Sequence, residues 1–336
     1  MEQSKFTGCW VLSENRKKFG VEELVREEFV TEEFVIENIL IWFVYTGKSR
    51  GNPVPNIFIG SAHLVDYQNT ATPFTVILNT MSDDAGSLTA QDALPLYCLS
   101  DKNEKVKTSF RKSDKNRYCS WKDYYIQCDF KQPVDSIQLI DSYGDGIEVS
   151  VTKPIQKTIP LVACLSRLFY YDNWQTALVV LEMYHAMGVN EMSIHVINVI
   201  QEIYTLLEFY KNEINLKIHP GIVAPQIAGQ DPNKNNEAMN QLLCYNECLF
   251  NYREAAEFIV FSDMDELITS AGGNLYDTVK RAQLRNPLAA AFEFMWKTSS
   301  YANISLRKRT ANQLWCQREP TGRVFITFTM LNTKGR

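Results

Sequence analysis

No stretch of this chain is apolar for long enough to cross a bilayer, which needs about 20 such residues. The most apolar run, 34–44, is broken by Glu37 and Asn38. Residues 1–18 are polar and contain no apolar signal-peptide core, so the expectation is a soluble chain without a membrane span. Long basic blocks are also missing: net charge is −5, and Arg307-Lys308-Arg309 is a small cluster that reads as a solvated face. A nucleic-acid partner is therefore not expected. The eight cysteines form no Cys-x-x-Cys pair and the four histidines stand apart from them, which argues against a zinc site. What remains is an ordinary globular composition, 45% hydrophobic with 12 Pro and 15 Gly, enough for one large or two moderate domains.

Within that composition one stretch carries chemistry. Phe258-Ile259-Val260-Phe261 reads as a strand buried on both faces, because it lacks alternation. Ser262 follows, and then Asp263, Asp265 and Glu266. Ligands of open α/β sheets bind beyond the carboxyl ends of strands, so these acids are expected to face a crevice. Asp263 and Asp265 can share one hard cation, Mg²⁺ or Mn²⁺, with positions left for phosphate oxygens. Asp-x-Asp pairs are common as plain turn acids, and it is the placement after an apolar strand that favours a metal. Glu266 is either a group orienting a ligand or the start of the next turn.

Three segments are expected: a charged N-terminal segment (1–34), a β-rich module (35–152) and, after a linker, an α/β domain (160–336). The module shows β-type runs at 39–45, 56–65, 74–78, 124–130 and 146–151, separated by turn clusters. Cys98, Cys119 and Cys128 fall there and are the best candidates for bridging. Cys244 and Cys248 lie one helical turn apart, a poor geometry for a mutual bond. From residue 161 onward strands and helices alternate, which predicts a doubly wound, mostly parallel sheet. Strands are expected at 161–168, 192–198, 214–218, 258–261 and 289–296, and helices at about 173–187, 201–212, 236–252 and 275–284. Trp174, Leu178, Leu181 and His185 share one face of the first helix, with Trp174 and Leu178 expected to dominate its packing. Gly188 ends that helix. Asn233–Asn236 reads as a helix cap, with a sugar or phosphate contact as the functional alternative. His185, His195 and His219 read as structural.

These features allow a metal-dependent transfer from a nucleotide sugar, a haloacid-dehalogenase-type phosphatase with Asp263 as nucleophile, or a sheet whose acids are inactive. The phosphatase places its motif near the start of the domain and needs several later strands, which fits poorly here. The ordered set Val162-Ala163-Cys164-Leu165-Ser166, Asp172-Asn173-Trp174, Leu181-Glu182-Met183-Tyr184, Gly188-Val189, Cys244-Tyr245-Asn246-Glu247-Cys248-Leu249-Phe250 and Phe261-Ser262-Asp263-Met264-Asp265-Glu266-Leu267-Ile268 resembles glycosyltransferase family 92, the former domain of unknown function 23, and its nematode branch above all. The resemblance covers about 160–300.

It implies a GT-A nucleotide-diphospho-sugar transferase fold, Mn²⁺ (or Mg²⁺) and UDP-galactose as donor. It further implies inverting galactosyl transfer to a glycan or glycoprotein acceptor, in one branch a core fucose, and residence as a Golgi membrane protein. The family's later proline-bearing strand has no clear match, since Gly322-Arg323-Val324-Phe325-Ile326-Thr327 lacks the proline, and no His follows His219. The remaining acids that could serve as catalytic base are Glu293 and Glu319, with Asp277 read as a surface charge. The expectation from this departure is a truncated member that binds donor and transfers little.

Overall fold

The computed structural model describes residues 43–46, 56–66, 72–83, 95–113, 119–227, 229–270, 272–294 and 330–332. Nine strands build the first half: β1 (Phe43–Thr46), β2 (Asn56–Asp66), β3 (Phe74–Asp83), β4 (Tyr97–Ser100), β5 (Lys105–Lys107), β6 (Ser109–Lys112), β7 (Trp121–Phe130), β8 (Ser136–Ile140) and β9 (Gly146–Ser150). They form two antiparallel sheets, ordered β1-β2-β3-β7-β6 and β5-β4-β8-β9. Alternate side chains of the longer sheet, among them Ile57, Val76, Leu78 and Ile126, meet Leu96, Ile137 and Leu139 of the shorter one in a common core. A disulfide between Cys98 on β4 and Cys128 on β7 ties the two sheets together, and Cys119 is bridged as well. The strands 97–100, 105–107 and 109–112 escaped the sequence pattern, because their lysines and serines leave too few apolar positions to show a period of two.

The second half is an open sheet. β10 (Ile159–Leu168), β11 (Glu191–Val196), β12 (Leu216–Pro220) and β13 (Ala256–Ser262) are joined by α1 (Trp174–Ala186), α2 (Gln201–Glu213) and α3 (Gln241–Tyr252). Their spatial order is β12-β11-β10-β13, all parallel, followed by antiparallel β15 (Met330–Asn332) and then β14 (Ala291–Phe292). The chain winds outward from β10 through β11 to β12, then returns through α3 to place β13 on the other side of β10. That reversal is a topological switch point, the usual place for a ligand crevice in such sheets. Helices α1, α2 and α4 (Leu275–Arg285) cover one face of the sheet, where Leu161, Ala163, Leu165 and Phe258 lie. Helix α3 covers the other, against Val162, Cys164 and Ile259, with a Cys164–Cys248 disulfide fastening it to β10. The expected doubly wound arrangement is therefore present.

Helix α3 is also the seat of the antiparallel half. Phe58, Met81 and Trp121 pack on Leu243 and Cys244, and Val65 and Ile77 on Phe250. Asn79 Nδ2 donates to the Leu243 carbonyl at 2.8 Å, and the Tyr125 hydroxyl donates to Asn246 Oδ1 at 2.8 Å. The central strands of the longer sheet are thus buried on both faces, which is why β3 is buried along nearly its whole length.

Three expectations need correction. Helix α1 buries Ala177, Val180, Leu181 and Tyr184, whereas Trp174 is 46% exposed, Leu178 is only partly buried and His185 is exposed. The helix is apolar on several sides through Ala177-Leu178-Val179-Val180-Leu181, so spacing alone did not select the face. Helix α3 begins at Gln241 rather than 236, because Ala238, Met239 and Asn240 have φ of 47°, 51° and 63°. Within 289–294, the described part of the strand expected at 289–296, the strand is confined to Ala291–Phe292, with Ala291 exposed.

Candidate functional site at the switch point

Asp263 and its neighbours leave the carboxyl end of β13 as a tight turn. The Glu266 N–H donates to the Asp263 carbonyl at 3.0 Å, and the Asp263 N–H donates to Glu266 Oε2 at 3.2 Å. Met264 points into the core, leaving Asp265 exposed and Asp263 half-buried. Both ends of the loop are pinned by Tyr184 of α1. Its hydroxyl lies 2.9 Å from Ser262 Oγ and accepts the Ile268 N–H at 3.3 Å. Burial pushes that phenol up to about 12, so it remains a neutral hydrogen-bonding pin.

Helix α3 holds Asp263 from the other side. Gln241 Nε2 donates to Asp263 Oδ1 at 2.5 Å, and the Tyr245 hydroxyl donates to the same oxygen at 2.8 Å. Gln241 also donates to Ser166 Oγ at 2.9 Å, at the end of β10. Burial, followed by the Asp263 charge, raises the Tyr245 phenol far above its ordinary value, which fixes it as a donor. Glu266 is half-buried beside two other acids. Burial is the main cause that pushes its carboxyl up to about 7, with the charges of Asp263 and Asp265 adding to it and the Asp263 N–H opposing. The Glu266 bond to the Asp263 N–H braces the turn that carries Asp263, which fits both readings of Glu266.

The donor set suits a hard cation. Asp263 Oδ2 and both oxygens of Asp265 accept no hydrogen bond from the described residues, and all are carboxylate oxygens. Among those residues no three His, Cys, Asp or Glu side chains converge as a complete metal cage. Of the described residues, Asp263 and Asp265 would supply two ligands to such an ion, and Mg²⁺ and Mn²⁺ sites commonly take further ligands from water or substrate.

The other candidates fare differently. Glu293 follows the two-residue β14 and is exposed. Asp277 is exposed in the first turn of α4, as expected of a surface charge. Glu319 lies outside the described residues. The asparagine run is not a simple cap. Asn233 accepts the Ala224 N–H at 2.7 Å and donates to the Ala224 carbonyl at 2.7 Å, and Asn236 donates to Asp123 of β7 at 3.0 Å. His195 is buried 3.0 Å from Glu247 and stacks on His219, consistent with a structural role. Sequence reasoning did not single out Ser166, Arg167, Gln241 or Tyr245, which reach the site only through folding.

Comparison with known proteins gives the family. Residues 159–328, about half of the chain, match the model of glycosyltransferase family 92. The Caenorhabditis elegans glycosyltransferase family 92 protein F59C6.8 is 32% identical over 196 residues, which cover 56% of this chain and 37% of that protein. From the same organism, family 92 protein F55C10.4 is 24% identical over 220 residues, 61% of this chain and 42% of the relative. Family 92 protein F13G3.3 is 30% identical over 137 residues, 40% and 27% of the two chains. The chain spans well under half the length of these curated relatives. With that match over about half of the chain, taking in β10 to β13 and the acid-bearing turn, the chain belongs to glycosyltransferase family 92.

Proposed function

We propose that this chain forms the donor-binding part of a metal-dependent glycosyltransferase that moves galactose from UDP-galactose, with inversion, to a glycan or glycoprotein acceptor. The observation that carries the reading is the Asp263–Asp265 pair at the carboxyl end of β13, beside the switch point with β10. Asp263 and Asp265 would hold Mn²⁺ or Mg²⁺, which when bound supplies Lewis-acid neutralisation of charge on a leaving diphosphate. Gln241 and Tyr245 keep one oxygen of Asp263 occupied and so orient the other. Preorganised ligands of this kind need no rearrangement when charge develops. An inverting transfer also requires a carboxylate to take the acceptor proton. Of the sequence candidates for that base, Glu293 is exposed.

The phosphatase alternative has no support from the family match. It also conflicts with the position of β13, which follows three earlier strand–helix units. The disulfides Cys98–Cys128 and Cys164–Cys248 favour an oxidising, secretory setting such as the Golgi lumen. Among the described residues no helix is long and apolar enough to cross a membrane. An assay with UDP-galactose, Mn²⁺ and a fucosylated glycan tests the proposal. Transfer that is lost in Asp263→Asn and Asp265→Asn supports it. Equal transfer by wild type and both variants contradicts it.

A further inference from the structure

Three irregularities of the backbone and side chains meet next to Asp263. The first is in β10. Its pairing with β13 ends at Leu165 opposite Ser262, so Ser166 comes level with Asp263. Its pairing with β11 slips by one residue between Leu165 and Arg167. A bulge of this kind re-aims the following side chain, here Arg167, and is a common device beside binding sites.

The second is the left-handed turn Ala238-Met239-Asn240, three successive non-glycine residues at positive φ. Non-glycine residues seldom adopt this conformation, and such strain persists where surrounding contacts enforce it, often at ligand clamps. The enforcing contacts are visible. Asn240 Nδ2 donates to the Ile222 carbonyl at 2.9 Å and to Asn233 Oδ1 at 2.7 Å, and Arg167 Nε donates to the Met239 carbonyl at 3.1 Å.

The third is the guanidinium itself. Arg167 is half-buried, and among the described residues it donates to the Met239 carbonyl and, at 3.4 Å, to Ser166 Oγ. Among the described residues it has no ion-pair partner, and Asp263 attracts it from beyond salt-bridge distance. Most of the five donors of a guanidinium thus have no acceptor among the described residues. A sequestered, unpaired cation is costly, and Arg presents a planar fork suited to phosphate.

We propose that Arg167 is a donor-positioning residue that binds the diphosphate of the nucleotide sugar, with the 238–240 turn holding its guanidinium on the β10 side of the switch point opposite Asp263. This rests on the donor-site reading above and adds a second, metal-independent contact to it. The acids then grip the diphosphate through a cation, and Arg167 grips it directly.

The test is calorimetry of the 336-residue chain with UDP and, separately, uridine, in Mn²⁺, for wild type, Arg167→Gln and Arg167→Lys. Losing a charge-assisted hydrogen bond worth about 1.5–3 kcal/mol weakens UDP binding roughly 10- to 150-fold. Uridine affinity is expected to stay unchanged in Arg167→Gln. Arg167→Lys, which keeps the charge but not the fork, recovers part of the loss and decides the matter if the Gln variant does not fold. Unchanged UDP affinity in both variants overturns the proposal. An equal loss of UDP and uridine does so too, because it marks an arginine that only braces the turn. If wild type binds no UDP, this inference and the donor-site reading fall together. If Asp265→Asn abolishes the Mn²⁺-dependent gain while the Arg167 variants match wild type, this inference alone falls.

Discussion

The Tyr245 hydroxyl donates to Asp263 Oδ1 at 2.8 Å, joining the helix that enters β13 to the acid that leaves it. Gln241, one helical turn earlier, donates to the same oxygen. Removing a group that orients a metal ligand typically costs about 10- to 100-fold in metal affinity. Tyr245→Phe leaves Gln241 in place, so its expected effect is at the lower end, about tenfold. Titration of Mn²⁺ in the presence of UDP checks this, and unchanged affinity would mean that the bond does not position Asp263.

Leu181 and Trp174 should separate cleanly in a stability measurement. Leu181 is fully buried, and Leu→Ala at such a site costs about 2–5 kcal/mol. Trp174 is 46% exposed, and its replacement by Ala is expected to cost within roughly 0.5 kcal/mol. Denaturant unfolding of the two variants reads the difference directly. Similar losses would indicate that α1 packs through another face.

Reduction of Cys164–Cys248 should weaken both stability and donor binding, because the bond ties β10, which carries Ser166, to α3, which carries Gln241 and Tyr245. The two cysteines are 84 residues apart in sequence, and a bridge closing a loop of this size contributes typically 2–4 kcal/mol. Cys248→Ala is expected to lower the melting temperature and to weaken UDP binding. Loss of stability with UDP affinity intact would confine the bridge to a structural role.

Acid should destabilise the fold through its buried histidines. Burial is the main cause that lowers His63 to about 4, with Glu247 opposing. Burial likewise lowers His219 to about 4, helped by His195 and Lys217 and opposed by Glu247. Both are held neutral in the folded chain. Between pH 6.5 and about 4 the unfolded chain therefore binds more protons, and stability rises with pH across that window. Measured downward, stability is lost as pH falls from 6.5 towards 4. His63→Gln is expected to flatten that loss relative to wild type, and an identical slope in the two proteins would contradict it.

Much of this could be read from residues close in sequence. The unbroken run Phe258–Phe261 marked a central strand, and Gly188 marked the end of α1 with its φ of 82°. Asp263, Asp265 and Glu266 were legible for the same reason. What escaped depends on distant partners. Cys164 meets Cys248 only after the chain winds back across the sheet, and cysteine spacing does not specify connectivity. Asn236 looks like a helix cap until Asp123 of β7 is brought to it. The turn 238–240 contains no glycine to announce its left-handed backbone, which the surrounding asparagines and Arg167 enforce.

The central claim is that Asp263 and Asp265 join a divalent cation to a nucleoside diphosphate. The most direct measurement is calorimetry of UDP binding with and without Mn²⁺, for wild type and Asp265→Asn. Mn²⁺ is predicted to tighten UDP binding to the wild-type chain, and Asp265→Asn is predicted to lose that gain. Equal affinity in all four conditions would contradict the account.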